Sequence, residues 1–418
     1  MAASYLLEHE KHPHVVLERA PQIASAWREG RWDSFTLVTP NWQLQLPGAE
    51  YKGNDPDGFL SRGQVIDYFE TYASRFHLPI KTGVEVLMVS QSETGRGYIV
   101  KTNRGQYKAR NVIIASGVYQ HPKIPPLARQ LPADIRQIHS SQYRNPNQLP
   151  NGAVLVVGSG QSGAQIAEEL YQAERKVFLS VGRNVRAPRR YRGWDIHRWS
   201  QLLGVFDRTE DQLASSAEKF DPHPTISGKA GGRTLNLHQF ARDGVVLLGR
   251  LRGVAGGVLT FAPDLRENLA KADAFEAATV QRIDEYVSRN HLDAPEEKLV
   301  QLRDGFDVPL IDTLSFEQAD IRTVIWASGY SFDFGLVRLP VLDTMGYPIQ
   351  KRGVTEFRGL YFLGMPWLHT RKSGILYGAG EDARYVTSHL LEHSSESLLC
   401  EEAYLRGLLP AGEVPRVA

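Results

Sequence analysis

Ala153-Val154-Leu155-Val156-Val157-Gly158-Ser159-Gly160-Gln161-Ser162-Gly163 runs directly into Ala164-Gln165-Ile166-Ala167-Glu168-Glu169-Leu170. Five apolar residues meet a Gly-x-Gly-x-x-Gly turn, and the apolar positions beyond it recur at helical spacing. A second strand-like run follows at 176–181. A dinucleotide pyrophosphate needs that order: a buried strand, a turn with no side chains in the way, and a helix N-terminus offering free N–H groups and positive potential. Three glycines alone would be weak evidence, but the strand before and the helix after make the reading specific.

Upstream, Ala2-Ala3-Ser4-Tyr5-Leu6-Leu7-Glu8 reads as a helix already under way, and Pro13-His14-Val15-Val16-Leu17-Glu18-Arg19 as an apolar strand ending in an acid. Residues 2–9 and 15–18 match 164–172 and 177–181 element for element, which predicts two dinucleotide-binding units. In such units the acid closing the second strand, about 20 residues past the glycines, bonds a ribose hydroxyl, and Glu18 has that place. The glycines that should precede it are absent. A start assigned too far downstream competes with genuine loss of the first strand and loop. The former is the expectation, because a parallel sheet without its central strand leaves unpaired backbone groups.

Strand 177–181 closes without an acid and is followed by Arg183, Arg186, Arg189, Arg190 and Arg192. Where an acid would repel a 2′-phosphate, an arginine supplies donors for it, so NADPH is expected rather than NADH, with Arg183 as reader. The later arginines read equally well as a solvated or partner-binding face. Between 27 and 63 the chain is aromatic and turn-rich, as loops covering a cofactor often are. Helices are expected at 63–76, at 266–290 with Asp264 as N-cap, and at 375–392; strands at 97–102 and 106–108. Two apolar strands end in small residues, at Ala115-Ser116-Gly117 and at Ala327-Ser328-Gly329, where backbone can approach a ligand closely. A third ends at Gly364, and Ser373-Gly374 opens the last helical stretch, presenting N–H groups to a flavin or its pyrophosphate.

Composition narrows the classes. Lys plus Arg number 48 against 47 Asp plus Glu, a net charge of +1 that makes no case for nucleic acid. The single cysteine, Cys400, excludes a dithiol redox centre and a cysteine-based zinc site, and reads as a bystander. His197 and His238 lack ligand spacing, so no metal is expected; Trp194, His197 and Trp199 wall a cavity or belong to the core. No apolar run approaches the ~18 residues of a membrane span, and a cytoplasmic protein is expected.

With both units in view, the chain resembles the flavin-containing monooxygenase superfamily, closest to its bacterial branch of monooxygenase-like flavoproteins. The resemblance rests on Glu18-Arg19, Trp27-Arg28, the run 113–117, His139-Ser140-Ser141-Gln142-Tyr143 and the run 325–330. His139 and Tyr143 match the end of the family pattern Phe-x-Gly-x-x-x-His-x-x-x-Tyr; Ala133 and Ile135 stand where its Phe and Gly would be. The resemblance implies an α/β fold of two Rossmann-like domains, the NADPH domain (151–320) inserted between two parts of an FAD domain (1–150 and 321–418). It also implies FAD and NADPH as cofactors and O2 with a small organic molecule as substrates. Hydride passes from NADPH to flavin, and a flavin C4a-(hydro)peroxide delivers one oxygen atom. Asn41 and Arg371 are candidate polar groups near the flavin ring. A disulfide reductase of the same fold, a flavin-free NADP(H)-binding sensor or scaffold, and an NADPH oxidase without oxygenation are the other readings.

Overall fold

A computed structural model describes residues 1–93 and 95–405, and side chains up to residue 393. The side chain of Cys400 lies outside the described residues. The principal elements in chain order are α1 (Ala2–His9), β1 (Val16–Glu18), α2 (Arg62–Arg75), β2 (Ile80–Thr82), β3 (Val112–Ile114), β4 (Arg136–His139), β5 (Ala153–Val157), α3 (Gln161–Gln172), β6 (Val177–Ser180), α4 (Ile196–Leu202), β7 (Val246–Leu248), α5 (Leu265–Arg289), β8 (Ile321–Trp326), β9 (Leu360–Phe362) and α6 (Leu376–Leu405).

β5 is the middle of a five-stranded, all-parallel sheet of order β7-β6-β5-β8-β4. Its uninterrupted apolar sequence follows from burial on both faces. Val154 and Val156 pack with Ile166 and Leu170 of α3 and Leu265 of α5. Leu155 points the other way, to Phe178, Trp326 and an antiparallel meander (Leu251–Ala255, Val258–Phe261, Thr313–Ser315). Burying each such side chain is worth about 1.5–3 kcal/mol.

The expected boundaries at 150/151 and 320/321 cut through this sheet and need correction. β8 pairs with β5 on one edge and β4 on the other, in register Ile325↔Val156 and Ile325↔Ile138. The reason is that a central strand needs hydrogen-bond partners along both edges. The unit therefore runs from β4 to β8.

The remaining chain folds as a second body. β3 pairs with β9 across some 250 residues of sequence, in register Ile114↔Phe362, and β1 pairs with β2. Leu7 of α1, Ile114, Phe362, and Val386 and Leu390 of α6 share one core, flanked by an antiparallel sheet (Val86–Gln91, Tyr98–Thr102, Gly105–Ala109). The chain crosses between bodies twice, and the crossings pair antiparallel as Tyr330↔Pro122 and Ser331↔His121. This is the two-domain, inserted α/β architecture expected from the sequence.

Local expectations hold closely for the helices: α2 spans Arg62–Arg75 and is opened by a capping box between Ser61 and Gln64. Asp264 holds its expected place before α5. It occupies the N-cap position of α5 without a side-chain capping bond, because its carboxylate is taken by Arg250, through the backbone N–H at 3.0 Å and through the guanidinium.

Three of the arginines after β6 are structural clamps. Arg186 is buried and forks onto Glu276 of α5 (3.0 and 2.7 Å), with Asp273 at 2.8 Å. Arg189 binds Asp195 (2.8 Å), and Arg192 binds Asp284 of α5 (3.1 Å). Breaking a buried pair strands a charge, so Glu276→Ala is expected to cost about 3–5 kcal/mol in urea unfolding. Lys271→Ala, which removes an exposed pair with Glu267, should leave the urea midpoint unchanged within error.

Candidate functional site

The glycine turn is held by contacts that only glycine permits. Gly158 has φ +109°, and a Cβ there would stand 2.6 Å from the Ala327 carbonyl oxygen; a Cβ on Gly163 would stand 1.8 Å from the Gly158 oxygen. Helix α3 is thereby pressed against β5. A Cβ on Gly160 would meet nothing within 4 Å, and Gly160, as the N-cap of α3, makes no side-chain capping bond. The helix thus opens onto free space with its first N–H groups uncapped by a side chain, as an anion site requires. Ser159 and Gln161 serve the turn itself: the buried Ser159 hydroxyl accepts from the Gly182 N–H (3.3 Å), and the Gln161 amide exchanges hydrogen bonds with the backbone of Ile226. Ser162 is half-buried on the first turn of α3.

Arg183 lies just beyond the C-terminal end of β6, on the surface, its side chain 65% exposed and 3.0 Å from Asp221. Its charge remains available, since a surface ion pair is weak.

Opposite, the small-residue strand ends converge. Gly117, after β3, would place a Cβ 3.6 Å from the Gly364 oxygen, after β9. Ala115, Ser116 and Gly364 are exposed. Gln120 donates to the Gly117 oxygen (2.8 Å) and to the Ser116 hydroxyl (3.3 Å). The Ser328 hydroxyl donates to the Lys123 oxygen, and the Gly329 oxygen accepts from the Lys123 N–H and from His139 Nε2, both at 2.9 Å. The Ser373 hydroxyl accepts from the N–H groups of His369 and Thr370, and Gly374 is exposed just before α6.

This geometry has relatives. Residues 1–195 match the family model described as pyridine nucleotide-disulphide oxidoreductase. An uncharacterized CzcO-like oxidoreductase of Geobacillus kaustophilus is 33% identical over 401 residues, 94% of this chain and 95% of that protein. The chain belongs to the CzcO-like oxidoreductases. Among solved structures, a flavin-containing monooxygenase from Stenotrophomonas maltophilia superposes with a TM-score of 0.60 at 18% identity, covering 94% of this chain and 95% of that one. OTEMO in complex with FAD and NADP gives 0.53 at 14% identity, covering 95% and 84%. At these identities the superpositions speak for the fold.

Within this oxidoreductase the other sequence candidates scatter. Glu18 ends β1 and its Oε1 accepts from the Ala20 N–H (2.8 Å); Arg19 is exposed. Trp27 stacks on Phe69, and Arg28 pairs with Glu70, so both serve the packing of the short helix Ser25–Arg28 on α2. Asn41 is buried and donates to the Asp55 oxygen (2.9 Å), while its own Oδ1 has no partner. Arg371 lies across the junction of the two bodies, its guanidinium 3.3 Å from His223 Nδ1 and its N–H bonded to the Arg208 oxygen (3.0 Å). Burial pushes the His223 imidazole down to about 4. Trp199 is core, donating to the Tyr191 oxygen, and His238 is core, between Asp273 and the Gly305 N–H. Gln43, which sequence reasoning passed over, is bonded through Oε1 to His197 Nδ1 at 2.7 Å. Nothing local marks it, since its partner lies 154 residues away.

The residues present fit a nicotinamide dinucleotide at the α3 turn: an open Gly160 face, an uncapped helix N-terminus and Arg183 beyond β6. For FAD they fit at the ring end, where Gly117, Gly329 and Gly364 leave backbone accessible. We expect Gly160→Ala to fold normally yet weaken NADP⁺ binding at least tenfold by calorimetry, whereas Gly163→Ala, forced against the Gly158 carbonyl, should lower the free energy of unfolding by about 1–3 kcal/mol in urea titration.

Proposed function

We propose that this protein is an NADPH-dependent flavoprotein monooxygenase that transfers one oxygen atom from O2 to a small organic molecule. The unit from β4 to β8 holds NADPH and the second body holds FAD. The observation that carries the reading is the α3 turn, whose one open glycine face and uncapped N–H groups face away from the packed core, with Arg183 at the adjacent strand end. The superposition on OTEMO, whose structure contains FAD and NADP, and the kinship with CzcO-like oxidoreductases support it.

In this reading the free N–H groups of α3 and its N-terminal dipole bind the NADPH pyrophosphate, and Gly160 leaves room for it. Arg183 exchanges Asp221 for the 2′-phosphate, a stronger acceptor with two charges. Ser159 and Gln161 keep the turn rigid so that little entropy is lost on binding. On the facing body Ala115, Ser116, Gly117, Ser328, Gly329 and Gly364 line the flavin ring with backbone, and Ser373-Gly374 aim the start of α6 at it. Glu18 bonds a ribose hydroxyl through its remaining oxygen. FAD and NADPH, when bound, supply hydride transfer and oxygen activation. The protein's residues align the two rings and exclude water at the junction, where Phe206, Tyr377 and Trp42 pack together.

A dithiol reductase is disfavoured by the single cysteine. The test is direct: after incubation with FAD the full chain should turn yellow and consume O2 only when NADPH is added. Arg183→Ala should lower kcat/KM for NADPH at least tenfold while leaving that for NADH unchanged. A colourless protein with no NADPH oxidation would sink the proposal, and an unchanged cofactor preference would remove Arg183 from it.

A further inference from the structure

Among the buried side-chain atoms without a hydrogen-bond partner in the described residues, two donors, Arg189 Nη2 and Gln43 Nε2, belong to one circuit of contacts. Arg189 is 2% exposed; its Nε binds Asp195 (2.8 Å), its Nη1 donates to the Val38 oxygen (2.7 Å), and its Nη2 has no partner. Asp195 caps α4 by accepting from the His197 N–H (2.9 Å), and His197 Nδ1 meets Gln43 Oε1 at 2.7 Å. Gln43 is 1% exposed, and its Nε2 is the second orphan. Val38 and Gln43 lie on one loop, which closes the circuit Arg189, Asp195, His197, Gln43, Val38. A buried polar atom without a partner costs free energy, and a native fold retains one where function uses it.

The surroundings are aromatic. His197 packs on Phe206, Phe206 on Tyr377, and Tyr377 edge-on against Trp42. Tyr377 lies three residues beyond Gly374, so the circuit adjoins the start of α6 at the junction of the two bodies. Phe59 covers the Arg189 guanidinium at 4.1 Å. Burial keeps His197 neutral, pushed down to about 3, so it neither competes with Arg189 for an anion nor adds a fixed charge.

We propose that Arg189 Nη2 and Gln43 Nε2 grip the carboxylate of the oxygenated substrate, whose apolar or aromatic body lies against Phe206, Tyr377 and Trp42. A carboxylate satisfies a guanidinium N–H and an amide N–H together better than any neutral acceptor does, and the Asp195 pair holds the guanidinium fixed. The proposal rests on the monooxygenase reading for the word substrate; the binding site itself does not depend on it.

The experiment uses the full chain in whatever flavin state it purifies, with 3-phenylpropanoate and 3-phenylpropanamide titrated by calorimetry. The carboxylate is expected to bind at least tenfold more tightly than the amide. Gln43→Glu, nearly isosteric but turning a donor into an anion, should weaken carboxylate binding at least tenfold and leave the amide unaffected; Arg189→Lys, which keeps the charge and loses the fork, should act likewise. Circular dichroism of each variant establishes folding. Equal affinities for the two probes in the native protein, or an unchanged carboxylate affinity in folded Gln43→Glu, overturns the assignment. So does loss of NADP⁺ binding in Gln43→Glu with displacement of the carboxylate by NADP⁺, which would make these donors a nicotinamide carboxamide site. Because the readout is binding, a colourless protein that prefers the carboxylate overturns the oxygenation reading and leaves this site standing.

Discussion

A carbonyl oxygen 1.8 Å from where a Cβ would be is the constraint on which the unit from β4 to β8 depends. Gly163 must lack a side chain for α3 to begin directly above the end of β5. Only then do Ile166 and Leu170 reach Val154 and Val156, closing one face of the sheet. The same close approach leaves the first turn of α3 without a side-chain cap. Packing and ligand binding are therefore one geometrical fact: the contact that buries the helix's apolar stripe also exposes its N–H groups.

The second body is held differently. Its parallel strands come as two pairs, β1 with β2 and β3 with β9, so fewer ladder bonds join them and side-chain packing does more. Leu7 of α1, Val386 and Leu390 of α6, and Leu360 and Phe362 of β9 share a single core. The two bodies meet through aromatic packing, as of Phe206 on Tyr377, and through specific polar contacts. Arg189 reaches from one body to Val38 of the other, His197 to Gln43, and Lys372 to Asp207 (2.7 Å). Contacts of this kind fix orientation, which is what aligning two cofactor rings demands.

How much of this was legible in the sequence depended on distance along the chain. The β5 run, the turn and α3 are contiguous, and so were read almost to the residue, as was α1 at Ala2–His9. The domain boundaries were displaced because β8 announces itself only by pairing with β5, and β4 only by pairing with β8, in the registers Ile325↔Val156 and Ile325↔Ile138, far apart along the chain. Arg186 and Arg192 read as a basic surface because Glu276 and Asp284, which neutralise them, lie on α5, some 90 residues downstream, while Arg189 finds Asp195 only through the fold of the intervening turn. Asp264 had the right position for a cap, yet Arg250 outbid the helix for it: a charged donor is a stronger partner than a neutral N–H.

The same distances explain why the junction was the least legible part of the candidate site. Asn41 was singled out as a polar residue in an aromatic loop, and it proves to hold that loop's return at Asp55. Its neighbour Gln43, two positions along and chemically less conspicuous, faces the other body. Four buried polar atoms between residues 36 and 43 lack partners: Thr36 Oγ1, Asn41 Oδ1, Trp42 Nε1 and Gln43 Nε2. A loop whose backbone is well bonded, with Asn41 and Trp42 donating to the Gly58 and Pro56 oxygens at 2.9 Å, has no need of so many unmet side-chain groups for its own stability. Leaving each of them unpaired costs about 1–3 kcal/mol. The loop is thus rigid in its backbone and unfinished in its side chains, the combination a preorganised polar site requires.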